Sequence, residues 1–135
     1  MTREEFIKRW PNFKPEEFAC KCGECGPESG LNINPKTMDR LQDLRYDLDF
    51  PFVVTSGYRC PKHPEAMKKD EPGAHGHGQA VDIAVSGSRA LSMICAAPVY
   101  FFTGVGVKQK GKSRFIHLDD MEAAPSRPRP WIWSY

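Results

Sequence analysis

Apolar residues recur at helical spacing in two long stretches of this chain. Met38, Leu41, Leu44 and Leu48 fall on one face of a segment opened by Asn34-Pro35, a cap residue followed by the residue favoured at the first helical position. They predict a helix to about Asp49. Arg89–Ala97, preceded by Ser86-Gly-Ser88, predicts another, with Leu91, Ile94 and Cys95 on its apolar face and Pro98 as its stop. A short helix through Arg9 opens at Thr2, where Glu5 completes capping-box spacing, and closes at Trp10-Pro11. Phe50–Thr55, Ala80–Val85 and Arg114–Asp119 read as strands rich in β-branched and aromatic residues. Val99–Val107 reads as one long strand or a pair broken near Gly104, and Lys108–Ser113 as a hairpin turn. One helical turn is expected at Pro15–Phe18, a loose one within His63–Asp70, and an aperiodic loop at Gly26–Gly30. Short strands and helices in mixed order give an α+β domain on a small, mostly antiparallel sheet with flanking helices.

The length of 135 residues suits a single domain over 1–135. Within it, residues 1–30 form a helix and a Cys-rich loop, and 123–135 a Pro/Trp-rich tail that docks in extended form on the body. A charged fraction of 27% and a hydrophobic fraction of 40% are ordinary for a globular chain. The net charge of +2 is too small to argue for a nucleic-acid partner. No apolar run approaches the ~20 residues of a membrane span, and charges in Met1–Glu5 stand where a signal peptide needs an apolar core. A monomer made in a cytoplasm is the expectation.

The chemistry concentrates in Gly73-Ala-His-Gly-His-Gly-Gln-Ala-Val-Asp82. His75 and Asp82 flank a glycine-rich turn that leads into an apolar strand. A catalytic zinc takes three nitrogen or oxygen ligands from the protein and leaves a position for water. His117, inside Arg114–Asp119, is the candidate third ligand. Asp82 lies in Ala-Val-Asp-Ile-Ala-Val, where an unpaired carboxylate is costly to bury, so a cation partner is expected there independently. A second group is Cys20, Cys22, Cys25 and Cys60, with His63 completing Cys60-x-x-His63. In a reducing compartment such a set reads as four ligands of a structural zinc, with Cys60 or His63 as the fourth. Free thiols, or disulfides outside the cell, are the alternatives. Cys95 reads as core.

His75-x-x-Gly78-x-Ala80-x-Asp82, the later Phe115-Ile-His-Leu-Asp119, and Ser56-Gly-Tyr-Arg-Cys60 together resemble the zinc D-Ala-D-Ala carboxypeptidase family, M15, which also includes phage L-alanyl-D-glutamate endopeptidases. The short, phage-endolysin-like branch, with its Cys-rich N-terminal stretch, is the more similar. The resemblance implies the fold shared by these peptidases and the hedgehog signalling domain. It also implies a zinc-dependent peptidase acting on peptidoglycan stem peptides at the bacterial cell wall after release from a host cytoplasm. It places Arg59 at the rim of the active site, to bind a substrate carboxylate or steady an oxyanion. Three positions depart from the family pattern: Gly73 where Ser is usual, Pro64 where Asn is common, and Arg114 where many members carry an acid that serves as general base. Asp119 then becomes a candidate base or, equally, a partner that holds a ligand histidine in its tautomer. The absent acid also leaves open a non-catalytic, zinc-stabilised wall-binding or virion module.

Overall fold

Antiparallel pairing of β2 (Ala80–Ala84) with β4 (Phe115–Asp119) is the centre of the structure, a computed structural model that describes residues 1–135. β1 (Val53–Ser56) pairs antiparallel with β2 on one side, and β3 (Gly104–Lys108) antiparallel with β4 on the other. β5 (Trp131–Ser134) completes the order β1-β2-β4-β3-β5. The sheet is mixed, because β5 runs parallel to β3. The expected α+β class holds, but the extended tail is a full edge strand. Its parallel sense follows from the excursion after β4, which returns the chain beside β3 in the same direction.

Side chains alternate across a strand, and here the alternation divides the sheet cleanly. Val81, Ile83, Val105, Ile116 and Leu118 face one layer of helices and aromatics and are almost fully buried. That layer is built by α1 (Arg3–Arg9), α2 (Pro35–Leu48) and α4 (Gly87–Ala96). Thr2 and Glu5 close the predicted capping box on α1, and the Asn34 side chain accepts the N–H groups of Lys36 and Thr37 at the start of α2. Met38, Leu41 and Leu44 of α2 are buried as its periodicity requires. Phe6, Trp10, Phe13, Phe18 and Phe52 pack edge-on or tilted against one another beneath β1.

Three local expectations need correction. The buried face of α4 is Ala90 and Met93, not Leu91 and Cys95, and Leu91 is 63% exposed. Leu91, Ile94 and Cys95 do lie on one side of the helix, but α4 turns Ala90 and Met93 to the core and of those three only Ile94 packs partly against it. Residues Ala97–Tyr100 form a short 3-10 turn instead of a strand, with Pro98 in its first turn, and β3 begins only at Gly104. Pro27–Asn32, read as loop, is likewise a 3-10 turn opened by proline.

The α4 orientation makes a direct prediction. Met93→Ala should cost about 2–5 kcal/mol of stability, whereas Leu91→Ala should stay within about 0.5 kcal/mol. Denaturant midpoints of the two variants check it, and a larger loss at Leu91 would contradict the orientation.

Candidate metal centre

The face of the sheet opposite the core carries polar chemistry. Asp82 of β2 stands directly opposite His117 of β4 in the antiparallel register. Asp119, two residues beyond His117, shares that face. His75 is delivered by the turn before β2, where Gly78, at φ +68°, reverses the chain while its carbonyl accepts the Asn34 N–H at 2.7 Å. A Cβ at Gly78 would strike the Asn32 carbonyl at 2.5 Å, so glycine is required at this approach.

The three side chains converge in a buried spot. His117 Nδ1 lies 3.0 Å and His75 Nε2 3.3 Å from Asp82 Oδ1, and the ligand atoms all lie within 4.8 Å of one another. Hydrogen bonds on the far side of each ring hold it in place. His75 Nδ1 contacts the Gly57 carbonyl at 2.7 Å, and a carbonyl can only accept, so that nitrogen carries the proton. His117 has a carboxylate on each side, and we assign its proton to Nε2, which makes the shorter contact, 2.7 Å to Asp119 Oδ2 against 3.0 Å from Nδ1 to Asp82. In their neutral forms both rings therefore turn bare lone pairs toward a carboxylate oxygen. Three acceptors facing one another need a cation between them, and imidazole nitrogen with carboxylate oxygen is a donor set that suits zinc. These residues fit the metal.

Electrostatics treat the two rings differently. Burial holds the His75 pKa down, against the pull of Asp82, which keeps its ring neutral. Burial would also lower His117, but hydrogen bonds to Asp119 and Asp82 outweigh it and raise the pKa. Burial would raise the Asp82 carboxyl, yet both histidines hold it well below the usual carboxylate range.

Asp119 is the most enclosed polar residue of the site, with 0% exposure. Arg129 grips its two oxygens through Nε and Nη2, each at 2.9 Å, and the Met121 N–H reaches Oδ1 at 3.3 Å. Burial would lift its pKa, but His117 and Arg129 prevail and hold it at about 2. Arg129 is a residue that sequence reasoning missed. So is Trp133, whose ring lies 5.1 Å from that of His117 and 5.2 Å from the Arg129 guanidinium. β3 leaves room on this face, since a Cβ on Gly104 would collide with the Asp119 carboxylate and one on Gly106 would sit 2.8 Å from Trp133 Nε1. The signal was in the sequence as a Gly104-Val-Gly106 alternation, with no means of knowing what faced it.

Arg59 reaches the same site, with Nη2 at 3.6 Å from Asp82 Oδ2 and a buried Nε that has no partner. Around the three candidate ligands opens a groove of about 560 Å³, walled by Arg59, Glu65, Glu71, Arg129, Trp133 and Tyr135. A larger hollow of about 910 Å³ adjoins it, with Arg127 and Arg129 lining both. His77 is exposed and lines that second hollow, away from the three ligands. Asp120 is occupied by Thr37, Arg40 and Gln79, while Glu122 and Arg114 face solvent.

Cys20, Cys22, Cys25 and Cys60 also come together, with their sulfur atoms all within 4.8 Å of one another. His63 is not among them. Its Nδ1 accepts the Glu65 N–H at 3.1 Å and caps the short helix α3 (Pro64–Met67) instead. Cys95 is exposed and apart.

A family model described as Peptidase M15 matches residues 11–119. The chain belongs to the peptidase M15 family. Its members are zinc-dependent metallopeptidases, and all three candidate ligands fall within the matched region. No curated protein matches the chain. No helix is long and apolar enough to cross a membrane.

Removing one partner of a buried ion pair leaves the other charge uncompensated. Arg129→Ala is therefore expected to destabilise the protein by about 3 kcal/mol, and Arg129→Lys to recover only part of it, because lysine cannot grip two oxygens at once. Thermal or denaturant unfolding measures both; a neutral Arg129→Ala would show that this buried pair does not stabilise the fold.

Proposed function

We propose that this protein is a zinc peptidase that hydrolyses an amide bond in the stem peptides of bacterial peptidoglycan, in the setting of phage lysis. The observation that carries the reading is the meeting of two bare imidazole nitrogens and a buried carboxylate in a groove open to solvent. His75 through Nε2, Asp82, and His117 through Nδ1 would hold the metal. When bound, zinc supplies Lewis-acid activation of a water and of the scissile carbonyl.

The rest falls to the chain's own groups. The Gly57 carbonyl and the Asp119 carboxylate lock the two rings so that the correct nitrogens face inward. Asp119 is thereby assigned as a positioning residue and not as the base, since its oxygens are taken up by His117, Arg129 and the Met121 amide. Arg59 lines the groove beside Asp82, and its guanidinium would bind a substrate carboxylate or a developing oxyanion. A proton acceptor must come from elsewhere on the wall. Glu65 is paired with Lys68 at 3.1 Å, which leaves Glu71 as the groove carboxylate without an ion-pair partner. We assign it as the base. The mixed basic wall of Arg59, Arg127 and Arg129 suits a stem peptide, which carries free carboxylates.

A zymogram on purified cell wall tests the reading. Clearing by the wild type should vanish with chelator and with His117→Ala, and return when zinc is added back to the wild type alone. Glu71→Gln should lower kcat by roughly 10²–10⁴-fold with zinc content unchanged. A folded, zinc-loaded wild type that clears nothing would favour the non-catalytic wall-binding module.

A further inference from the structure

Gly57–Cys60 is an extended tetrapeptide whose backbone works in two directions. On one side, Gly57 accepts the His75 Nδ1 proton at 2.7 Å and the Arg59 N–H donates to the His75 carbonyl at 3.2 Å. On the other, the Tyr58 N–H donates to the Phe18 carbonyl at 2.9 Å and the Cys60 N–H to Cys20 Sγ at 3.3 Å. Odd residues thus hold the ligand loop, and even residues hold the N-terminal segment. Apolar packing cannot anchor the far end of that second set. The loop Lys21-Cys-Gly-Glu-Cys-Gly26 carries no large apolar side chain and forms no helix or strand. It contributes three of the four clustered sulfurs, and Cys60 contributes the fourth.

We propose that Cys20, Cys22, Cys25 and Cys60 hold a structural zinc ion, and that this ion fixes Gly57–Cys60 so that the Gly57 carbonyl keeps His75 in position. Four cysteine sulfurs within 4.8 Å of one another form the closed, tetrahedral donor set that structural zinc sites use. Two amides already serve the sulfurs, Glu24 N–H to Cys22 at 3.4 Å and Cys60 N–H to Cys20, as suits atoms bearing negative charge. Cys22-Gly-Glu-Cys25 supplies two ligands from one tight turn, with Gly23 at φ +91°. Cys20 is buried while the other three are half-buried, so the site sits at the edge of the fold and is sealed by its own ligands. Only the consequence at His75 rests on the peptidase reading; the second ion stands without it.

Metal content and cobalt absorption, read on protein purified under reducing conditions, decide the matter. The wild type should carry two zinc ions per chain. His117→Ala should carry one, and so should the double variant Cys22→Ser, Cys25→Ser. Cobalt-loaded wild type and His117→Ala should both show the intense near-ultraviolet charge-transfer band of cobalt bound to thiolates, and the cysteine variant should lack it. Zinc affinity of the remaining site in the cysteine variant should fall by roughly 10–100-fold, as when an outer-shell partner of a ligand is lost. A single zinc per chain without a thiolate–cobalt band overturns the site, as does a thiol titration of unreduced protein that finds these cysteines paired in disulfides. Unchanged affinity in the cysteine variant overturns the link to His75. Should that variant fail to fold, the wild-type and His117→Ala spectra still decide. A strong cobalt–thiolate band in a protein that hydrolyses no wall would sink the peptidase reading and leave this site intact.

Discussion

A carboxylate taken out of water must be met by positive charge or by donors, or the sheet that buries it is destabilised by the full cost of its desolvation. Asp82 sets that requirement at the centre of this protein. Its nearest neighbours are two imidazoles, and both have committed their protons outward, to Gly57 and to Asp119. The arrangement has more acceptors than donors at its focus. Every other feature of the polar face can be understood as arranging that deficit or supporting it.

The support is built from sheet geometry. Antiparallel register brings Asp82 and His117 face to face although they lie far apart in the chain, and the two-residue period then puts Asp119 on the same side as His117. The neighbouring strand gives up its side chains at Gly104 and Gly106, which leaves space for the Asp119 carboxylate and for Trp133. Arg129 and Trp133 come in from the returning tail, the first onto Asp119 and the second beside His117. Charge is thus relayed outward from the focus: carboxylate, imidazole, carboxylate, guanidinium, indole face. Beyond the focus, from His117 outward, each step places an acceptor against a donor, and the last is capped by the aromatic ring.

Much of this was legible in the chain. Asp82 stands out as a charged residue in an apolar strand, and His75 and His117 are picked out as its companions by their spacing, which resembles that of the family. The helix opened by Asn34-Pro35 was equally plain, since capping and periodicity agree. What could not be read depends on contacts made across the fold. That Arg129 would reach both oxygens of Asp119 is one such contact, since it stands in a loop without periodicity. Whether Cys60 or His63 joined the cysteines turned on a helix cap. The rotation of α4 turned on which flank fits against the sheet, a question of volume and not of pattern. Trp131–Tyr135 read as a docked tail because proline-rich approach residues obscure the strand that follows them.

Zinc-edge anomalous diffraction from crystals of the metal-replete protein tests the central claim most directly. The account predicts anomalous density between the side chains of His75, Asp82 and His117, bonded to Nε2 of the first ring and Nδ1 of the second, with one face turned to the groove. Density confined to the cysteines, or a His117 ring flipped to present Nε2 to the metal, would contradict it.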